Sequence, residues 1–216
     1  MRTAEQVNAI LEGLERAYPL AECTLNFDEA WELLVSVRLA AQCTDERVNQ
    51  VVPALFRRFP NAAAMAEASP EEVEPYIHSC GFFRGKARDI VGAAKMLTED
   101  FQGRVPDTME DLLKLPGVGR KSANLILGDV YHTPGAVVVD THCIRLSNRM
   151  GLVDGMKEPA RIETALRAIL PPEKSNDFCH RLVLHGRAVC SARTKPRCGE
   201  CCVKDACQSY ENKEFT

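Results

Sequence analysis

The chain has 216 residues, 45% of them hydrophobic, and a formal net charge of −3 at pH 7. That length suits one large domain or two small ones with a sizeable core, and no apolar run approaches the roughly 18 residues a membrane span needs. The N-terminal stretch is amphipathic and carries acids rather than the apolar core of a signal peptide, so a soluble, cytoplasmic protein without membrane attachment is expected, nucleoid-associated if bacterial. Charge is unevenly distributed. Residues 1–32 hold seven acids against two bases, whereas 180–198 hold Arg181, Arg187, Arg193, Lys195 and Arg197 and no acid. One end repels phosphate and the other attracts it.

Helical periodicity dominates from the start. Residues 4–17 place Val7, Ile10, Leu11 and Leu14 on one face, and 28–42 do the same with Trp31, Leu34, Val35 and Leu39. Asp45 is expected to cap the next helix, which carries Val48, Val51, Val52 and Leu55 inward. Ser69-Pro70-Glu71-Glu72 reads as a helix start, with Ser as cap, Pro in the first position and acids in the first turn. Helices are expected again over 85–97 and 108–114. The one β-branched stretch, Ala136 to Val139, is too short to build a sheet and reads as a buried connector. The class predicted is all-α, in two lobes: 22–132, and 1–21 together with 133–216.

Within the first lobe, about 107–131 is the most informative stretch. A helix ends near Lys114, Pro116 stops it, and Gly117 and Gly119 permit a tight turn. A second helix begins at about Gly119 and offers the N–H groups of its first turn to an anion. The segment Leu115-Pro116-Gly117-Val118-Gly119-Arg120-Lys121-Ser122-Ala123-Asn124 is a helix-hairpin-helix, which grips phosphate without reading sequence. Leu115, Gly117, Val118, Gly119 and Arg120 are its candidate DNA contacts. Asp140 precedes another helix start and can serve as its N-cap.

Ten cysteines divide into two sets. Cys23, Cys43, Cys80, Cys143 and Cys179 are scattered and read as buried thiols. Cys190, Cys198, Cys201, Cys202 and Cys207 are crowded, which in a reducing compartment argues for metal. Cys190, Cys198, Cys201 and Cys207 give C-x7-C-x2-C-x5-C, a spacing that suits zinc or an iron–sulfur cluster. Cys201 is preferred to Cys202 because it keeps both short spacings. Arg193, Lys195 and Arg197, between the first two ligands, are expected to meet DNA phosphate.

Several motifs stand in order: A-A-Q-C-T-D at 40–45, L-P-G-V-G-R-K-S-A-N at 115–124, V-D-T-H at 139–142, L-H-G-R at 184–187, and the cysteine tail. With them the chain resembles the endonuclease III family of DNA glycosylases over nearly its whole length. The resemblance implies an enzyme of base excision repair on damaged double-stranded DNA, acting as a monomer. It would remove oxidised pyrimidines and cut the abasic site by β-elimination. Lys121 would attack C1′ and form a Schiff base, for which its place in a first turn beside Arg120 should lower its pKa. Asp140 would stabilise positive charge on the sugar or assist proton transfer. DNA would lie across a cleft with Lys121 and Asp140 facing it from opposite lobes. Gln42 would enter the gap left by the extruded base, and Phe82 stands where the family has a wedging apolar residue, commonly leucine. His142 would either contact phosphate or pack. The four cysteines would hold a [4Fe-4S] cluster, with zinc the alternative. The family has six residues in the first cysteine gap; this chain has seven.

Two rivals differ in class. One is a non-catalytic helix-hairpin-helix DNA-binding protein with a structural metal site. The other is the adenine glycosylase branch, which has an acid four positions before the equivalent of Gln42 and a further C-terminal domain. Here that position is Arg38 and the chain ends at Thr216, so the endonuclease III branch is expected.

Overall fold

The computed structural model describes residues 2–215. Every regular element among them is helical, so the class is all-α. In chain order the α-helices are α1 (Ala4–Ala17), α2 (Ala30–Ala40), α3 (Asp45–Arg58), α4 (Ala62–Ala66), α5 (Pro70–Ile77), α6 (Phe83–Asp100), α7 (Met109–Leu112), α8 (Arg120–Asp129), α9 (Thr141–Met150), α10 (Pro159–Ile169), α11 (Ser175–Ala188) and α12 (Gln208–Glu211). None is long and apolar enough to cross a membrane.

Local chemistry accounts for most helix starts. Thr3 and Gln6 exchange side-chain and backbone hydrogen bonds in a capping box at α1, and Ser69 and Glu72 do so at α5 with Pro70 in the first position. At α3 the cap is Thr44 rather than Asp45. The Thr44 hydroxyl accepts from the Arg47 N–H at 3.2 Å, while Asp45 is the first helical residue and takes the Thr24 hydroxyl instead. Helix α6 starts two residues before the expected Gly85, because the carbonyl of left-handed Phe82 already accepts from Gly85 and Lys86.

The chain divides into two compact units, Cys23–Tyr131 and Met1–Glu22 with His132–Thr216. In the first, α6 forms the spine. It buries Ala87, Ile90, Val91, Ala94 and Leu97, and packs against α2, α4 and α5, while α8 packs on α2 and α7. In the second, α11 packs against α1 and α9, and α12 against α9. Ala136 to Val139 are all buried without forming a strand. This connector is pinned at Gly135, whose N–H donates to the Pro172 carbonyl at 2.8 Å and whose carbonyl accepts from Arg167 at 2.8 Å.

Candidate active site and cysteine-lined pocket

The hairpin is built from below. Pro116 rests on Gly92 of α6, where an added Cβ would meet the proline ring at 3.3 Å. Gly117 has φ +76°, and a Cβ there would fall 2.6 Å from the Arg38 side chain. Arg38 in turn donates from Nε to Asp89 Oδ2 at 2.7 Å, so an ion pair between α2 and α6 underlies the turn. Gly117→Ala therefore combines backbone strain with displacement of that pair. We expect it to cost about 1–3 kcal/mol in urea unfolding and to weaken binding to undamaged duplex measured by anisotropy.

Gly119 is the N-cap of α8. It has no side chain to satisfy the helix start, and a Cβ there would meet nothing within 4 Å, so the space above it is open. The first helical bond is Ala123 N–H to the Gly119 carbonyl at 2.9 Å. The N–H groups preceding it, together with the helix dipole, make an anion site. Lys121 is exposed in this first turn. Leu115, predicted to contact DNA, is instead only 2% exposed. Its side chain anchors the turn in the core, and its carbonyl accepts from Val118 at 3.1 Å. Val118 is half-buried, and Gly117, Gly119 and Arg120 are exposed.

Two loops of the same unit hold strained residues. Gln42 (φ +54°) and Phe82 (φ +47°) both adopt the left-handed conformation, which costs a residue with a side chain on the order of 1–3 kcal/mol. Gln42 is exposed, and Phe82 is 74% exposed, unusual for so large an apolar ring. Core packing therefore does not explain Phe82. Lys86 ties the end of α2 to the turn that precedes Phe82. It is 1% exposed and donates to the Leu39 carbonyl at 2.8 Å and the Cys80 carbonyl at 2.6 Å. Burial lowers its pKa. No sequence pattern marked this lysine.

Lys121 belongs to the unit Cys23–Tyr131; Asp140 belongs to the other. Asp140 caps α9, with Oδ1 accepting from the Cys143 N–H at 2.7 Å. One carboxylate oxygen is thereby committed and the group's direction fixed. Asparagine caps as well as aspartate does. Asp140→Asn should thus keep the melting temperature while lowering single-turnover base excision by about a hundredfold, the scale of a lost acid–base or electrostatic group. Asp140→Ala should in addition lose about 1 kcal/mol of stability. Full activity in the asparagine variant would leave Asp140 as a cap alone.

His142 packs. Its Nδ1 lies 3.2 Å from Arg145 Nη2, and a Cβ on Gly186 would come within 2.3 Å of it. The glycine of Leu184-His185-Gly186-Arg187 is therefore there to admit His142 against α11.

Cys190, Cys198, Cys201 and Cys207 line one pocket; Cys202 does not line it and is exposed. The donor set is four thiols at the end of α11, in the 3-10 turn Cys198–Glu200, just after it, and at the start of α12. Four thiols are the donor set of a four-cysteine metal site, which suits either zinc or an iron–sulfur cluster. Two further side chains reach the sulfurs. Arg149 donates from Nη1 to Cys190 Sγ at 3.2 Å and to the Ser191 carbonyl at 2.9 Å. His185 Nε2 lies 3.4 Å from Cys201 Sγ, with the Tyr18 hydroxyl 3.1 Å from its Nδ1. Burial pushes the His185 pKa down to about 4.

The seven-residue gap is organised by Ser191, whose hydroxyl accepts from the N–H groups of Arg193 at 3.1 Å and Thr194 at 3.3 Å. Arg193 and Lys195 are exposed on this turn. Arg197, expected to serve DNA with them, is tied back to Glu200 at 3.0 Å and to the Ala188 carbonyl. Gly13 of α1 lets the segment close in, since a Cβ there would meet the Cys202 carbonyl at 2.8 Å.

A helical protein with this hairpin and cysteine pocket falls into a recognisable class. The pattern of the HhH-GPD superfamily of base excision DNA repair proteins matches residues 35–172. The chain is 47% identical to an endonuclease III of Synechocystis sp. over 96% of its own length and 94% of the relative's. It is 40% identical to that of Escherichia coli, over 95% and 96%. The chain belongs to the endonuclease III family. Among solved structures, a non-covalent endonuclease III–DNA complex superposes with a TM-score of 0.92 at 34% identity, covering all of both chains. A trapped endonuclease III–DNA covalent intermediate gives 0.91 at 34% identity, over 99% of this chain and all of that one.

Proposed function

We propose that Lys121 is the nucleophile of this bifunctional DNA glycosylase and AP lyase of base excision repair, acting on oxidised pyrimidines in double-stranded DNA. The observation that carries this reading is the exposure of Lys121 in the first turn of α8, beside a helix start that Gly119 leaves open to phosphate. A phosphate held by that helix start brings the adjoining sugar within a lysine's reach.

The neutral Lys121 amine attacks C1′ and the C1′–N bond breaks, the electron pair leaving with the base. Ring opening gives a protonated Schiff base, which acidifies the C2′ hydrogen. Loss of that proton expels the 3′ phosphate by β-elimination, and water then releases Lys121. Asp140 offers its uncommitted oxygen to the positive charge that develops on the sugar. Gln42 and Phe82, already held in strained and exposed conformations, fill the space left by the extruded base. Arg193 and Lys195 add phosphate contacts. Cys190, Cys198, Cys201 and Cys207 would hold a [4Fe-4S] cluster, which supplies a cross-link between α11, α12 and the intervening turns. The protein acts as a monomer.

Borohydride reduction during turnover tests this. A covalent enzyme–DNA adduct is expected on duplexes carrying an oxidised pyrimidine or an abasic site, and none on undamaged duplex. Binding without any adduct would favour a non-catalytic helix-hairpin-helix protein.

A further inference from the structure

Left-handed residues such as Gln42 and Phe82 persist only where their surroundings over-determine them. Here the surroundings converge on Lys86. Gln42 follows the last turn of α2, where the Cys43 N–H closes on the Ala40 carbonyl at 3.1 Å. That leaves the Leu39 carbonyl to another donor, and Lys86 Nζ supplies it at 2.8 Å. Phe82 follows the 3-10 turn His78–Cys80 through Gly81, at φ +64°. The Cys80 carbonyl accepts from the same Nζ at 2.6 Å, and the Phe82 carbonyl accepts from the Lys86 backbone N–H at 3.1 Å. One residue thus holds the chain just before Gln42, the chain just before Phe82, and Phe82 itself.

The residue type is informative. Lys86 is 1% exposed, and the partners of its ammonium are two neutral carbonyls rather than a carboxylate. A charge buried on those terms costs more than an apolar side chain of the same length. The C-terminus of α2, whose dipole favours a cation, offsets part of that cost. An apolar residue would fill the space and hold neither carbonyl. The lysine is a tie of fixed length between two chain segments.

We propose that Lys86 is a positioning residue for base extrusion: it fixes the end of α2 against the turn before Phe82, so that Gln42 and Phe82 enter the duplex as a pair. This rests on the proposed reading of those two residues as the ones that fill the gap. Lys86 is too deeply buried to reach the duplex itself. Its loss should therefore spare both the binding of intact duplex and the attack at C1′. It should slow the step in which a stacked base is replaced. A displacement of about 1 Å in such a group can cost about a hundredfold in rate. A base that is already unpaired needs little help to leave the stack.

The test uses the full-length protein and Lys86→Met, which keeps the length of the side chain and loses both donors. Single-turnover excision of thymine glycol, an oxidised pyrimidine, is measured in a fully paired duplex and in the same sequence with the lesion in an unpaired bubble. Lys86→Met is expected to be about a hundredfold slower than wild type on the paired duplex and close to wild type on the bubble. The ratio of the two rates does not depend on the fraction of active protein, so a loss of stability alone does not move it. If Lys86→Met does not fold, Lys86→Gln, which keeps a polar head without the charge, should show the same fall in that ratio. Adding Lys86→Met to Gln42→Ala with Phe82→Ala should lower the paired-duplex rate no further, because the three act in one step. An unchanged ratio in the lysine variant, while Gln42→Ala with Phe82→Ala is slow on the paired duplex alone, would overturn the role of Lys86 and leave the gap-filling reading standing. Undiminished excision of the paired duplex by Gln42→Ala with Phe82→Ala would overturn the gap-filling reading and this role with it.

Discussion

Lys121→Ala is expected to abolish the borohydride-trapped adduct and to lower single-turnover base excision by at least about a thousandfold, about 4 kcal/mol of transition-state stabilisation. The fold should not suffer. Lys121 is exposed in the first turn of α8, and alanine is the best helix former. Affinity for intact duplex should fall little, because the helix start offers backbone N–H groups that the substitution leaves in place. Lys121→Arg sharpens the comparison. It keeps the positive charge, but a guanidinium does not deprotonate in a protein and cannot become a Schiff base. If charge at this position were what matters, the arginine variant would retain excision; a nucleophilic role requires it to be as inactive as alanine while binding DNA as well as wild type. Trapped adduct in either variant would move the nucleophile elsewhere.

What could be read from the sequence depended on how far apart in the chain the interacting groups lie. The amphipathic faces of α1 and α2, the Ser69-Pro70 start and the hairpin turn are local, and their residue types carry the geometry. The cap of α3 was misplaced by one residue because Thr44 and Asp45 are both good caps, and only Thr44 has its oxygen where the Arg47 N–H points. Leu115 was placed at the interface with its neighbours because a motif lists residues without saying which way each side chain turns. The features with no local signature were missed. Lys86 meets a carbonyl 47 positions earlier, and Arg38 pairs with a carboxylate 51 positions later. Arg149 reaches a sulfur 41 positions on. Nor does any local signal show that Gly186, on another helix, makes room for the His142 ring. These long-range contacts tie α2 to α6 beneath the hairpin and the cysteine segment to α9, so they set the position of groups the motifs only name.

Removal of a pocket cysteine should be the most damaging single change in the unit that carries α9 and α11. Between α11 and α12 the chain makes only two short 3-10 turns, Cys198–Glu200 and Lys204–Ala206. Backbone hydrogen bonding alone gives such a segment little cooperativity. Its order therefore depends on what the four sulfurs hold, and binding free energy at such a site is folding free energy. Cys201→Ala is expected to eliminate bound iron and to cost on the order of 5 kcal/mol or more, enough to leave this unit unfolded at 37 °C. Cys202→Ala provides the control. Its sulfur is exposed and outside the pocket, so it should keep wild-type metal content and melting temperature. Wild type should contain about four iron and four sulfide per chain if the pocket holds a [4Fe-4S] cluster. One zinc and no sulfide would replace the cluster with a single ion. Equal metal loss in both cysteine variants would mean that Cys202 shares ligation. In that case the turn below Gly13 would have to rearrange, because the Cys202 carbonyl now lies where a Cβ on Gly13 would fall.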